Sequence, residues 1–301
     1  METKKREINL DGLSSNLLNI ILEFLDQDEI SLLGATCKRL KLVSETEANR
    51  RKFNELVFIK GSTCEVLTLN LDSLLTTKHY DLSHKLFSFG SVYIPCNQST
   101  FFYGGWTGTE YIGEAFLISK NKNIMQLPSG PPAGRISLTY YKNYIYAIGG
   151  HESSLSVKYN LTLNTWEECA PLNAISMLQT TCALITDNIL ITGYYFTKLM
   201  KYDINNESLD SIKNLTLNGH IFKNIFTVRC SVYIIEVRGN TYTNRSSDLS
   251  NWEIIGTNDL NNYSGFSHSV RYKDKVYFIQ ARQKLVEFNL KDKTTKEIKD
   301  L

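Results

Sequence analysis

The chain has 301 residues, of which 42% are hydrophobic and 21% charged, with a formal net charge of +2. These values are ordinary for a soluble globular protein, and a net charge so near zero gives no general reason to expect nucleic-acid or membrane binding. No run of about 18 apolar residues is present, so no membrane span is predicted.

The first ten residues are predicted to be a disordered N-terminus. They are mostly charged or polar, and no apolar signal-peptide core follows them, which predicts a cytoplasmic and/or nuclear protein. The six cysteines and five histidines are scattered along the chain, without the spacing of metal ligands. Neither a metal nor any other cofactor is therefore expected.

Residues 11–54 are predicted to form a small module of three helices. In the first helix, one face is apolar at Leu17, Ile21 and Leu25, which are four residues apart. Asp28 opens a second periodic stretch, and a more polar third helix is predicted over residues 43–53. Three short helices cannot bury this apolar surface among themselves, so they pack on the next domain or bind a partner. The periodicity alone leaves both possibilities open.

The segment from residue 13 to residue 40 resembles an F-box. The shared features are the opening Leu13, the Leu17-Leu18 pair, and Cys37 followed by two basic residues. Two positions depart from the family pattern, because Ser14 replaces the usual proline and Leu40 replaces the usual aromatic residue.

This resemblance implies binding to the adaptor protein of an SCF-type (cullin–RING) ubiquitin ligase and, through the adaptor, to a cullin. The positions assigned to the adaptor interface or its immediate support are Leu13, Leu17, Ile21, Leu25, Leu33 and Cys37.

Residues 55–301 contain a repeat with a period of 43 to 45 residues. The recurring unit is a short β-rich run that ends in glycine in the first four copies and lacks the glycine in the last two. A second β-rich run precedes it in every unit but the first. The six glycine-type runs are residues 57–61, 101–105, 145–150, 189–193, 232–237 and 276–281.

Each unit is predicted to be a four-stranded antiparallel meander, except the first, which is predicted to lack its innermost strand. A unit of this size cannot close its own core, so the units must stack, and six stacked sheets predict a β-propeller. The fold class predicted for the chain is therefore α+β and multidomain, with the helical module followed by an all-β, six-bladed propeller.

The unit around residues 145–170 resembles a kelch repeat. It has the diglycine Gly149-Gly150, followed by Tyr159 and Trp166. The signatures of WD-repeat blades are absent. The resemblance implies that the loops after the diglycine and before the innermost strand open together on one face, around the central channel.

The candidate partner-binding residues in these loops are Trp106, Arg135, His151, Tyr194, Tyr195, Arg238 and Arg282. One interpretation is a recognition surface for an acidic or phosphorylated partner, because the arginine fork fits carboxylate and phosphate. The other is that exposed loops simply carry polar residues while the aromatic residues seal the ring.

The sequence as a whole favours a non-catalytic, substrate-recognition subunit of an SCF-type ubiquitin ligase. Its target would be an unidentified substrate protein, and no nucleic acid or membrane is expected as a partner. Two alternatives stay open: an F-box/kelch protein acting as a scaffold outside any ligase, and a propeller enzyme. No nucleophile–base pair can be named for the enzyme.

Overall fold

A computed structural model describes residues 54–60, 63–83, 85–150, 156–169, 180–193, 197–212, 215, 217, 222–228, 231–238, 240–246, 249–258, 266–280 and 284–300. These residues form an all-β, six-bladed propeller with 23 strands and no helix. The predicted α+β class is therefore wrong for the described part of the chain. The three predicted helices lie outside the described residues. No helix among the described residues is long and apolar enough to span a membrane.

The strands follow one another through six antiparallel meanders, numbered here as blades 1 to 6. Blade 1 has three strands, β1 (Glu55–Lys60), β2 (Glu65–Asn70) and β3 (Thr76–Asp81). Blade 2 comprises β4 (Gly90–Ile94), β5 (Ser99–Tyr103), β6 (Ala115–Ile118) and β7 (Ile124–Leu127). Blade 3 comprises β8 (Ser137–Tyr141), β9 (Tyr144–Ile148), β10 (Ser156–Asn160) and β11 (Thr165–Glu168).

The other three blades repeat the four-stranded pattern. Blade 4 comprises β12 (Thr180–Ile185), β13 (Asn188–Gly193), β14 (Leu199–Asp203) and β15 (Ser208–Ile212). Blade 5 comprises β16 (Phe222–Val228), β17 (Ser231–Arg238), β18 (Asn240–Ser246) and β19 (Glu253–Asn258). Blade 6 comprises β20 (Phe266–Tyr272), β21 (Lys275–Gln280), β22 (Lys284–Asn289) and β23 (Thr295–Asp300). The predicted strand repeat and the three-stranded first unit are confirmed.

A separate apolar cluster fills each interface between neighbouring blades. Strand β9 shows how one strand serves two of them. Its residues Ile145 and Ala147 pack toward blade 2, whereas Tyr146 and Ile148 pack toward blade 4. Because successive side chains point to opposite faces of a strand, a strand buried on both faces reads as a continuous apolar run rather than an alternating one.

The ring closes between blade 6 and blade 2 without a shared strand among the described residues. The innermost strands β4, β8, β12, β16 and β20 contact one another in turn, and β20 also contacts β4. Blade 1 lies outside this contact, between blades 6 and 2. Its alternate residues pack both ways, with Leu56 and Phe58 toward blade 6, and Val57 and Ile59 toward blade 2.

Polar contacts around Asp72 reinforce the junction of the first and last blades. The Asp72 carboxylate accepts hydrogen bonds from Tyr272 Oη at 2.7 Å and Lys273 Nζ at 2.8 Å, and from Asn54 Nδ2 at 2.9 Å. The hydrogen bond from Lys273, followed by those from Tyr272 and Asn54, holds the pKa of Asp72 well below its ordinary value of 3.8. The charged form of Asp72 is thus favoured by the folded state.

We expect the substitution Asp72→Asn to remove a pH-dependent part of the stability. A depressed folded-state pKa contributes stability that is fully present above the unfolded-state value near pH 4 and is lost as the pH falls through the folded-state pKa. The thermal midpoint of the wild type should therefore exceed that of Asp72→Asn at pH 7, and the two should converge as the solution is acidified below about pH 4. Circular dichroism melts of the two proteins across this pH range measure both midpoints. If the difference between the two midpoints did not change with pH, Asp72 would contribute nothing to the acid sensitivity.

The turn before the outermost strand is the same in blades 1, 3, 4 and 6. The side-chain oxygens of Asn70, Asn160, Asp203 and Asn289 each accept two backbone N–H groups two and three residues further on. The fourth residue after each has a positive φ: Leu74 (57°), Asn164 (55°), Glu207 (49°) and Lys293 (58°). An Asn or Asp directly after the last apolar residue of the strand before the turn was a sequence signal for it, because these side chains mimic a backbone turn.

Candidate protein-interaction surface

The loop that follows β5 is shaped by two glycines. Gly104 and Gly105 have φ angles of 69° and 129°, in the region that favours glycine. A Cβ atom on Gly104 would lie 2.3 Å from the backbone oxygen of Ala133, and one on Gly105 would lie 2.4 Å from Leu86 Cδ1. The missing side chains let the segments around residues 86 and 133 approach the end of β5 directly.

Beyond the diglycine, the chain forms a short aromatic hairpin. Trp106 exchanges two backbone hydrogen bonds with Phe87, of 2.7 and 2.9 Å, and bridges to Tyr111. The rings of Trp106 and Tyr111 lie 4.7 Å apart between centroids. Gly108 turns the hairpin with a φ of 106°. Phe87 is 36% exposed although it is apolar, and Trp106 and Tyr111 are half-buried.

Arg135 joins the same group through the residue next to Phe87. Its backbone N–H donates to the oxygen of Ser88 at 2.5 Å, and both residues have a φ of 55°. Arg135 is exposed. Two adjacent residues, Phe87 and Ser88, therefore hold Trp106 and Arg135 by their backbones. Phe87, Trp106, Tyr111 and Arg135 are named the aromatic–arginine cluster below.

The loop that carries Arg135 is supported by Trp166 of blade 3. Trp166 Nε1 donates to the oxygen of Pro128 at 2.8 Å, and the Tyr103 hydroxyl donates to the oxygen of Pro131 at 2.5 Å. The Trp166 and Tyr103 rings lie 4.3 Å apart, and a Cβ on Gly130 would be 2.8 Å from an atom of each. Burial raises the pKa of Tyr103, so its hydroxyl stays a proton donor. The loop before β8 is thus fixed by both neighbouring blades.

The structure brings together two of the predicted partner-binding residues, Trp106 and Arg135. Of Arg238, it describes the backbone as the last residue of β17, but not the side chain. The other predicted positions lie outside the described residues, and so does the whole predicted adaptor interface. They are His151, Tyr194, Tyr195 and Arg282 in the loops, and Leu13, Leu17, Ile21, Leu25, Leu33 and Cys37 in the N-terminal module. That Arg135, Arg238 and Arg282 lie together on one face of the propeller stays a prediction.

Sequence reasoning missed Phe87 as a member of the surface. Phe87 lies just before the first β-rich run of its unit. The loops before these innermost strands were predicted to open on the channel face. The apolar pair Leu86-Phe87, which lies between the polar residues 83–85 and Ser88, was the available signal.

The described residues contain no group of three or more His, Cys, Asp or Glu side chains that could hold a metal ion. Desolvation by burial raises the pKa of both Cys169 and Cys182 to about 12. These thiols are therefore protonated at neutral pH and are not activated nucleophiles. The aromatic–arginine cluster offers apolar contact through its rings, and hydrogen bonding and positive charge through the exposed Arg135.

No protein-family model matches the chain, and no curated protein matches it significantly.

Proposed function

We propose that this chain is the substrate-recognition subunit of an SCF-type (cullin–RING) ubiquitin ligase. In this proposal the N-terminal F-box-like module binds the adaptor protein, and the loops of a kelch-like propeller bind the target. The chain itself is non-catalytic, and it acts in the cytoplasm or nucleus. A six-bladed β-propeller fits a protein-interaction scaffold, because its rigid strands present loops for recognition.

The aromatic–arginine cluster is the observation that carries the proposal. Aromatic residues and arginine dominate the energetic centres of protein interfaces. Here, Phe87 and Arg135 are exposed next to the half-buried Trp106. Backbone hydrogen bonds and glycine contacts hold the loops in place. A surface ordered in this way loses little conformational entropy when a partner binds.

Two resemblances support the more specific proposal of a ligase subunit with an F-box and a kelch-like propeller. Residues 13–40 resemble an F-box, which favours a ligase over a free-standing propeller. The unit with Gly149, Gly150, Tyr159 and Trp166 resembles a kelch repeat, and in the structure Gly149 and Gly150 have φ angles of 85° and 146°, like the pair at 104 and 105. The scaffold alternative shares both features and differs only in lacking a cullin.

Affinity capture of the full-length protein tests adaptor binding and target binding separately. We expect the wild type to recover an adaptor, a cullin and a set of target proteins. The double substitution Leu17→Asp, Ile21→Asp should lose adaptor and cullin but keep the targets. The double substitution Trp106→Ala, Arg135→Glu should keep adaptor and cullin and reduce target recovery about tenfold or more, since a truncated interface centre costs about 2 kcal/mol or more.

Lys120→Glu is the matched control for the charge reversal. Lys120 is exposed in the turn between β6 and β7, at the opposite end of these strands from Trp106, so this variant should behave as the wild type. Targets that survive the Trp106 and Arg135 changes would refute recognition by this surface. Recovery of targets without adaptor or cullin by the wild type would refute the ligase and leave the scaffold. Loss of binding with Arg135→Glu alone would identify the partner as acidic or phosphorylated.

A further inference from the structure

The outer edge of blade 2 differs from the outer edges of the other blades. The outermost strands of the six blades are β3, β7, β11, β15, β19 and β23. Five of these strands contain at least one Asp, Glu or Lys residue, whereas β7 contains none. Charged side chains on an edge strand normally keep it from pairing with another chain. The edge of blade 2 lacks this protection.

The same strand exposes two large apolar side chains. Ile124 is 44% exposed and Met125 is 54% exposed. Ile254 of β19 is also exposed, at 65%, but it follows Glu253, whose carboxylate pairs with Arg245 at 3.1 Å. An uncharged, apolar strand at the end of a sheet is suited to the addition of a further strand.

The hairpin of β6 and β7 determines which backbone groups of β7 face outward. The backbone N–H of Ser119 donates to the oxygen of Asn123 at 3.0 Å. Along an antiparallel ladder, hydrogen-bonded pairs alternate with non-hydrogen-bonded pairs. Counting from this pair, the odd-numbered residues of β7 bond to β6. The N–H and C=O groups of Ile124 and Gln126 therefore point away from β6, at the open edge.

These outward groups are complementary to those of a second copy of the same strand. Two β7 strands can run antiparallel with Met125 opposite Met125. Ile124 of each copy then exchanges both backbone hydrogen bonds with Gln126 of the other copy. All the outward groups of these two residues are used in this register, and the two Met125 side chains lie side by side.

The neighbouring registers lose hydrogen bonds. A shift by two residues in one direction places Ile124 opposite Pro128, which has no N–H to donate. A shift in the other direction places Gln126 opposite Lys122, whose N–H already donates to the oxygen of Ser119 at 2.8 Å. The antiparallel direction also keeps the lysines that precede β7 at opposite ends of the pair, whereas a parallel pair would bring like charges together.

We propose that β7 is a homodimerisation edge, at which the β7 strands of two copies pair antiparallel and join two four-stranded blades into one continuous sheet. A two-fold contact of this kind uses the same patch on both copies, so it closes at the dimer. Because only β7 and its flanks form the ladder, the buried area is small and the dimer is weak. Each dimer presents two aromatic–arginine clusters, which favours partners with two recognised segments. This inference is independent of the proposed ligase function.

The molar mass of the full-length protein, measured by light scattering over a range of concentrations, tests the pairing. We expect the mass to rise from 34.4 kDa toward twice that value as the concentration increases. Met125→Lys should weaken the association about tenfold or more, because it places two like charges opposite each other. Met125 is exposed, so the thermal midpoint of this variant should not change, and a lower mass reports lost pairing rather than unfolding.

Ile254→Lys is the matched control, because it makes the same kind of change at an exposed apolar residue of another outermost strand. This variant should associate like the wild type. A wild type that stays monomeric at every concentration would overturn the proposal. So would a Met125→Lys variant that associates as strongly as the wild type.

Disulfide crosslinking tests the register. Met125→Cys should form a covalent dimer on mild oxidation, since facing residues of a non-hydrogen-bonded antiparallel pair have Cα atoms about 4.5 Å apart, which a disulfide can span. Gln126→Cys should not, because the two copies of that position are displaced by about 7 Å along the strands. The wild type, with its exposed Cys96, gives the background. Equal crosslinking of the two variants would refute antiparallel pairing through β7.

Discussion

Replacing Gly104 by alanine should collapse the aromatic–arginine cluster and destabilise the propeller. The new Cβ would lie 2.3 Å from the backbone oxygen of Ala133, and no rotamer change can relieve a clash with backbone. The φ of 69° adds about 1–2 kcal/mol for a residue with a Cβ. Together these effects should cost about 3 kcal/mol, which corresponds to a fall of about 6–12 °C in thermal midpoint for a domain of this size.

Gly108→Ala provides the matched control in the same loop. Gly108 also has a positive φ, of 106°, but nothing lies within 4 Å of the position of its Cβ. Backbone strain is therefore shared by the two variants, and the collision with Ala133 is specific to Gly104→Ala. Differential scanning calorimetry and target capture should both show the larger loss for Gly104→Ala. Equal losses would mean that strain alone, and not the close approach of the two loops, sets the geometry of the surface.

Trp166→Ala should be nearly as damaging, because it removes the contact between blades 2 and 3 beneath the same surface. The Trp166 ring lies 4.3 Å from the Tyr103 ring, 5.0 Å from that of Tyr159 and 6.3 Å from that of Phe101. Deleting a large aromatic side chain from such a site costs about 3 kcal/mol. The loop at residues 128–135 loses its anchor at Pro128, so target recovery should fall together with stability.

Trp166→Phe separates packing from hydrogen bonding. Phenylalanine keeps most of the ring contact with Tyr103 but cannot donate to the oxygen of Pro128, so the expected loss is about 1 kcal/mol. Urea denaturation of the three proteins measures the difference. If Trp166→Phe were as unstable as Trp166→Ala, the indole N–H and not the ring packing would be the main contribution of this residue.

The architecture of the propeller could be predicted from the sequence because it is repeated. The glycine-type runs became β1, β5, β9, β13, β17 and β21, and their regular spacing outweighed the divergence of the individual motifs. The shortened first blade was also predictable, because no β-rich run precedes residue 55. A single short apolar run is ambiguous between strand and helix, but six such runs at one spacing indicate a repeated β unit.

The details of the surface could not be predicted in this way. The link between Trp106 and Arg135 runs through the backbones of Phe87 and Ser88, and backbone contacts between loops leave no signature in residue type. Closure of the ring was equally hidden, since the contact of β20 with β4 depends on packing between segments far apart in the chain. The α+β class failed for a different reason. It combined two segments, and the described residues include only the β-rich one.

The closure of the ring has a consequence for how the chain is made. Leu56, Phe58 and Leu69 of blade 1 pack against Val270, Tyr277 and Leu285 of blade 6, and the bond from Tyr272 to Asp72 spans 200 residues. A ribosome adding about 5–20 residues per second takes roughly 10–40 s to bridge that distance. For this time the first blade has no partner for one apolar face. A nascent chain, or one that stops before blade 6, is therefore expected to need chaperone protection for residues that it made first.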